Sequence, residues 1–361
     1  MAQTADLAAV PTAAQPPSTA WREVVGASED TLFEGFAREI MASQREVAAE
    51  TGGPLRRGFH AKLHAGFVAE FQVLADLPDH ARFGVFSEPR VFPALVRFSN
   101  GGPAPRPDKH PEPRGVAIKL IGVHGPKLLP GQEDAITQDF LATSHSVTST
   151  VRNIEQFMAF IRASQNRLTM LVTLARAVGA REALRILRAL ISTVILSRVR
   201  SMAREQFSST APIKLGPYAV KFTVCPAEGT EPTEGCPLTP NFLRDELAER
   251  LRRADLMLDF LVQFYVDDTR TPIEDTSVAW DAPLVKVAKV RIPNCDLDHP
   301  PTHAISEEVD RLSFSPWHAT EDHRPLGNIM RARRVAYEAS SALRHHSPEP
   351  TDLPHIELRS T

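Results

Sequence analysis

His60 and Tyr337 are the side chains of this sequence best suited to chemistry on a small molecule. Histidine ordinarily titrates close to neutrality, so it can take and return a proton within one reaction. Tyrosine offers a phenol that ionises near pH ~10 and needs help from a cation to do so lower. Arg333 stands four residues before Tyr337 in MRARRVAYEASSALRHH, one turn earlier on the same helix face. Singly, such residues say little. A histidine in a strand-like run is more often packed than catalytic, and a helical tyrosine is more often a core aromatic. Arg97 in LVRFSN can simply pair with a carboxylate. Their order along the chain is the informative part.

The elements that must position them fall into zones. From about residue 51 to 140, β-rich runs such as RGFHAKLHAGFVAEFQV, ALVRFSNGG and RGVAIKLIG alternate with Pro/Gly punctuation, which predicts an antiparallel sheet or barrel. From about 152 to 206 the pattern turns helical. There Leu184, Leu187, Ile191 and Val194 recur at helical spacing, with Arg181, Arg185, Arg188 and Ser192 on another face. Strand-like runs return in GPYAVKFTVCP, LDFLVQFYVDD and LVKVAKVRIP, followed by the arginine-rich helix that holds Tyr337. The expected class is α+β, with a β-barrel core, a helical insertion and a C-terminal helix. One domain over 23–346 is expected, flanked by a disordered tail over 1–22 and a second tail over 347–361.

Composition removes several function classes. With 41 Lys+Arg against 44 Asp+Glu, the net charge of −3 gives no global attraction to nucleic acid. Cys225, Cys236 and Cys295 are widely spaced and form no CxxC pair, so neither a zinc site nor a disulfide framework follows. The start of the chain lacks a basic segment followed by an apolar run, and the apolar stretch at 189–197 is too short to span a bilayer. A cytoplasmic protein is the expectation.

Five segments, in order, resemble the haem catalases. RGFHAKLHAGF is similar to their distal-histidine strand, ALVRFSNGG to their VRFS segment and EPRGVAIKL to their DPRG strand. PLVKVAKVRIPNCD with EEVDRLSFSPW resembles the passage before the proximal helix, and RRVAYEASSALR that helix itself. The resemblance spans roughly residues 55 to 346 and implies a catalase-like barrel carrying haem b. It makes Tyr337 the iron ligand, with Arg333 keeping the phenolate anionic. Arg57, Arg97 and Arg344 match the propionate-binding arginines, a task suited to a cation that binds carboxylate bidentately. His60 matches the distal acid–base residue, and Ser99 the serine that fixes its tautomer. Phe157 matches an aromatic near the distal side.

The chain departs from the family at the distal asparagine and the paired phenylalanines that follow it. Between TQDF and RNIEQFMAFI the sequence reads LATSHSVTSTV. Thr143 or Ser144 takes the asparagine's position, with His145 adjacent, and Thr148, Ser149 and Thr150 cover the aromatic stretch. A catalase must hold a second hydrogen peroxide in place, so this loss implies weak catalase turnover. The expected length beyond Arg344 leaves no room for the NADPH-binding region of some members.

The resemblance thus implies a haem peroxidase acting on hydrogen peroxide or organic hydroperoxides with an unidentified reducing donor. The same fold also admits a lipid hydroperoxide isomerase or dehydratase, or a haem-binding protein without turnover. Two further expectations concern partners. The stretch 162–204 carries nine arginines against one acidic residue, Glu182, which suggests peripheral contact with a membrane. A homo-oligomer is also left open.

Overall fold

The computed structural model describes residues 16–144, 149–166, 168–195, 199–233 and 237–354. His145, Thr148 and Cys236 lie outside these described residues.

Alternating burial creates the sheet. Along β1 (Leu63–Val73), Phe67, Ala69, Phe71 and Val73 are buried while Glu70 and Gln72 face outward, the period of two that strands require. The other strands are β2 (Val91–Asn100), β3 (Arg114–Ile121), β4 (Thr137–Ser144), β5 (Phe207–Ser208), β6 (Ile213–Leu215), β7 (Tyr218–Pro226), β8 (Leu256–Phe264) and β9 (Leu284–Ile292). They pair antiparallel in the order β5-β4-β3-β2-β1-β9-β8-β7-β6. Short β5 pairs with β4 on one side and β7 on the other, so eight strands close into a barrel and β6 extends β7 as a hairpin. The α+β barrel expected from the sequence is therefore present.

Phenylalanines fill the barrel. Phe71 stacks on Phe140 with ring centroids 6.1 Å apart, and Phe222 on Phe260 at 5.1 Å, beside Phe67, Phe86 and Phe98. A small barrel has room inside for side chains or for one ligand. With this aromatic filling, a large ligand must bind against the outer wall.

Helices cover that wall. α1 (Glu29–Thr51), for which the sequence reading assigned no element, packs Phe33, Phe36 and Ile40 against Ala332 and Ala336 of the last helix. The helical insertion forms α2 (Ile154–Ser164), α3 (Met170–Val178) and α4 (Ala180–Leu190), followed by a π-helical turn at 191–195. α5 (Phe242–Arg253) and α6 (Pro300–Arg311) precede α7 (Asn328–Leu343). Gly66 of β1 allows α6 to approach, because a Cβ there would lie 2.6 Å from Val309 Cβ. The Gly66 N–H donates to Ser306 Oγ at 2.8 Å.

Described segments near both ends also dock. Trp21 Nε1 donates to the Pro217 carbonyl, and Glu349 is buried against Lys119 at 2.7 Å. The N-terminus of α7 is tied to α1 by Arg331, which pairs with Glu23 and Glu29 at 2.7 Å and Glu274 at 3.2 Å. The Arg331 hydrogen bonds hold the Glu29 carboxyl down at about 2. A cation at a helix N-terminus opposes the macrodipole, and these three carboxylates offset it. Among the described residues, no helix is long and apolar enough to cross a membrane.

Candidate active site

The barrel register brings the chemistry-bearing residues of the first half together. Ser99 of β2 faces Gly115 of β3, which faces Thr143 of β4. One step along, Arg97, Ala117 and Leu141 form a parallel row. Both rows lie on the outer wall. Opposite them stands one face of α7, with Arg333, Ala336, Tyr337 and Ser340 at helical spacing and Arg344 just beyond its end. Wall and helix enclose a cleft, which Ile40, Phe59, His60 and Phe314 complete.

His60 enters this cleft from the loop before β1 with φ +57°, a left-handed conformation that side-chain-bearing residues seldom adopt. Three hydrogen bonds hold it there. Its N–H donates to the Gly101 carbonyl at 3.1 Å, and the next N–H, of Ala61, donates to Gly102 at 3.1 Å. Its carbonyl accepts from Arg97 Nη2 at 2.9 Å. The imidazole Nδ1 lies 3.1 Å from Ser99 Oγ. Burial, then the guanidiniums of Arg97, Arg333 and Arg57, push the ring down to about 3, so it is neutral at physiological pH.

Gly115 makes room for that ring. A Cβ at this position would fall 2.5 Å from His60 Cε1, closer still to Nδ1, and 3.1 Å from Ser99 Oγ. The sequence reading did not single Gly115 out, although a glycine inside the strand RGVAIKL is itself a signal of close approach.

Beside His60, two guanidiniums pair with one carboxylate and a third, of Arg344, stands near. Asp310 Oδ1 accepts from Arg57 Nη1 at 2.7 Å and from Arg97 at 2.9 and 3.1 Å. Arg57 and Arg344 each donate to the Leu312 carbonyl at 2.6 Å. Burial pushes the Asp310 carboxyl up, but Arg97 and Arg57 more than offset this and hold it below its ordinary range. Burial and the mutual repulsion of these cations lower Arg57 well below its usual value and Arg344 to about 10. Three cations against one anion leave two positive charges uncompensated, which suits a ligand carrying two carboxylates. Asp310 too was not singled out, although it ends the acidic run EEVD.

On α7, Arg333 donates to the Tyr337 hydroxyl from Nη2 at 2.8 Å and Nε at 3.2 Å. The two candidates for the asparagine's position separate. Thr143 lines the cleft, whereas Ser144 faces the other side of β4, its Oγ accepting from the Arg114 N–H at 2.9 Å. Phe157 stands behind the cleft and packs edge-on against Phe59, ring centroids 5.9 Å apart. Ser209 and Thr210, absent from the sequence reading, add hydroxyls to the wall beside Thr143. Their only signal is the SST run after Phe207.

Barrel, outer-wall cleft and C-terminal tyrosine helix together define the catalase fold class. A fungal catalase matches with a TM-score of 0.62 at 16% identity, over 93% of this chain and 66% of that one. Catalase A of Saccharomyces cerevisiae matches with the same TM-score and identity, over 93% and 68%. The chain thus spans about two thirds of the length of these catalases, and at such identity they establish the fold alone. A catalase-related peroxidase of Mycolicibacterium paratuberculosis (strain ATCC BAA-968 / K-10) is 29% identical over 270 residues, covering 70% of this chain and 78% of that protein. No family model matches the chain. The fold is thus that of the catalases, and in sequence the chain is similar to a catalase-related peroxidase.

Proposed function

We propose that this protein binds haem b with Tyr337 as the iron ligand and works as a peroxidase. It would reduce hydrogen peroxide or organic hydroperoxides at the expense of a separate donor, with little oxygen release. The observation carrying this reading is that His60 and Tyr337 line one cleft with Arg57, Arg97 and Arg344, where a single carboxylate, Asp310, pairs with Arg57 and Arg97. The donor set fits the group: an oxygen ligand for ferric iron and an excess of two positive charges for two propionates.

Bound haem would supply the redox chemistry with peroxide. The chain's own residues supply the rest. Arg333 holds two hydrogen bonds on the Tyr337 oxygen and fixes its position. Neutral His60, with Nδ1 engaged by Ser99, keeps Nε2 open to take the proton of an incoming peroxide and return it to the departing oxygen. Thr143 offers one hydroxyl where the resemblance expects an amide, so a second peroxide is held less well. Leu141, Ala142, Ala117 and Phe314 give the same cleft an apolar wall, which suits organic hydroperoxides and also favours, as a second reading, their isomerisation or dehydration.

The test uses the haem-loaded full chain. Stopped-flow reaction with peroxide should slow about 10²–10⁴-fold in His60→Ala while haem content is kept. Donor oxidation should exceed oxygen release from hydrogen peroxide. Oxygen evolution as fast as donor oxidation would overturn the peroxidase assignment. A His60→Ala rate within a few-fold of the parent would overturn the distal one.

A further inference from the structure

The helical insertion buries only part of the face its sequence advertises, for Leu187 packs inward while Leu184 and Ile191 stay exposed. Ala183 and Ile186 of α4 and Leu174 of α3 point inward, onto Val151 and Ala163. The residues left outside are Leu168 (96% exposed), Leu171 (53%), Val172 (52%), Leu184 (45%) and Ile191 (45%). Half of the large apolar side chains exposed among the described residues therefore sit within this one hairpin. Exposed leucines scattered singly need no explanation, but such a concentration does.

Arginines accompany them at helical spacing. Along α4 and its C-cap, Arg181, Leu184, Arg188 and Ile191 fall on one stripe; on α3, Val172 and Arg176 fall on another, with Leu168 exposed just before it. Arg176, Arg181 and Arg188 make no ion pair among the described residues, whereas Arg152, Arg162 and Arg185 are paired with carboxylates. The hairpin thus joins exposed apolar side chains to unpaired cations in a protein whose net charge is −3.

We infer that the α3–α4 hairpin docks onto an anionic lipid surface. The apolar side chains would enter the headgroup boundary while Arg176, Arg181 and Arg188 meet the phosphates. Charge complementarity favours this occupant. A second copy of the chain laid symmetrically on the same face would oppose these arginines to one another, an arrangement that costs rather than stabilises. Packing places the hairpin close to the cleft: α3 and α4 rest on α2, whose Phe157 contacts the cleft residue Phe59. Docking would therefore bring the cleft near peroxidised acyl chains, although the surface itself needs no haem to act.

The test is co-sedimentation of the full chain with vesicles of phosphatidylcholine alone or mixed with phosphatidylglycerol. Binding should require phosphatidylglycerol and weaken as salt rises. A triple Arg176→Gln, Arg181→Gln, Arg188→Gln variant should bind on the order of 100-fold more weakly, about a factor of five per arginine. Arg45→Gln, Arg90→Gln and Arg106→Gln together, equal in charge but elsewhere on the surface, should bind like the parent. Unchanged thermal melting would show both variants folded. Absent binding, equal binding to both vesicle types, or equal loss in the two triple variants would overturn the inference. So would a dimer in solution that Leu168→Ser with Leu184→Ser turns into monomer. Each result is independent of peroxide chemistry, so its failure leaves the proposed activity standing.

Discussion

Arg333 Nη2 stands 2.8 Å and Nε 3.2 Å from the hydroxyl oxygen of Tyr337, so one guanidinium grips one phenol twice within a single helical turn. The oxygen it grips is the proposed iron ligand. Tyr337→Phe should abolish normal ligation, seen as loss of haem occupancy or a changed absorption spectrum. Arg333→Ala should retain haem with a shifted spectrum. An unaltered spectrum in Tyr337→Phe would mean that another residue is the ligand.

Gly115→Ala tests how the distal histidine is held. The added methyl group competes with the His60 ring for the same space, and either the ring or β3 must move. The expected result is a 10-fold or greater slowing of the reaction with peroxide while Tyr337-dependent haem binding persists. A variant that reacts at the parent rate would show that the ring position at Gly115 is unimportant.

Arg57→Gln removes one of the three cations around Asp310. Hydrogen bonds to charged groups contribute about 1.5–3 kcal/mol, so haem should be released on the order of 10–100-fold faster. The apoprotein should be affected much less, because Arg57 there is repelled by Arg97 and Arg344 as well as attracted by Asp310. Haem transfer to a scavenger protein measures the first effect and thermal melting of the apoprotein the second.

The apoprotein should lose stability on acidification. Burial and nearby cations push His60 down to about 3, and burial pushes His323 to about 3, against an unfolded value near ~6.5. Between those values the unfolded chain binds more protons than the folded one, so stability rises with pH. Each such histidine contributes at most about 1.4 kcal/mol per pH unit, fully present above pH ~6.5 and lost on descent toward 3. Melting temperatures from pH 7 to pH 4 should fall less steeply in His60→Gln than in the parent. Parallel curves would show that His60 is not held neutral by the fold.

What the sequence determined by itself was local or ordered. Alternating apolar residues in runs such as LHAGFVAEFQV fix strands and their inward faces, and the four-residue step from Arg333 to Tyr337 fixes their contact on one turn of α7. The ordered motifs from Arg57 to Arg344 pointed to the fold, which is that of the catalases. Tertiary structure decided what depends on long-range approach. Register between β2, β3 and β4 set Ser99, Gly115 and Thr143 in one row and turned Ser144 away, since a shift of one residue reverses a strand's face. Asp310 reached Arg57 and Arg97 only because Gly66 admits α6 against β1, a packing event between residues 240 or more apart in the chain. The face of α4 that is buried also escaped the sequence. Its amphipathic period was legible, but Ala183 and Ile186 were chosen over Leu184 and Ile191 by the surface of α2 and α3 on which the helix rests.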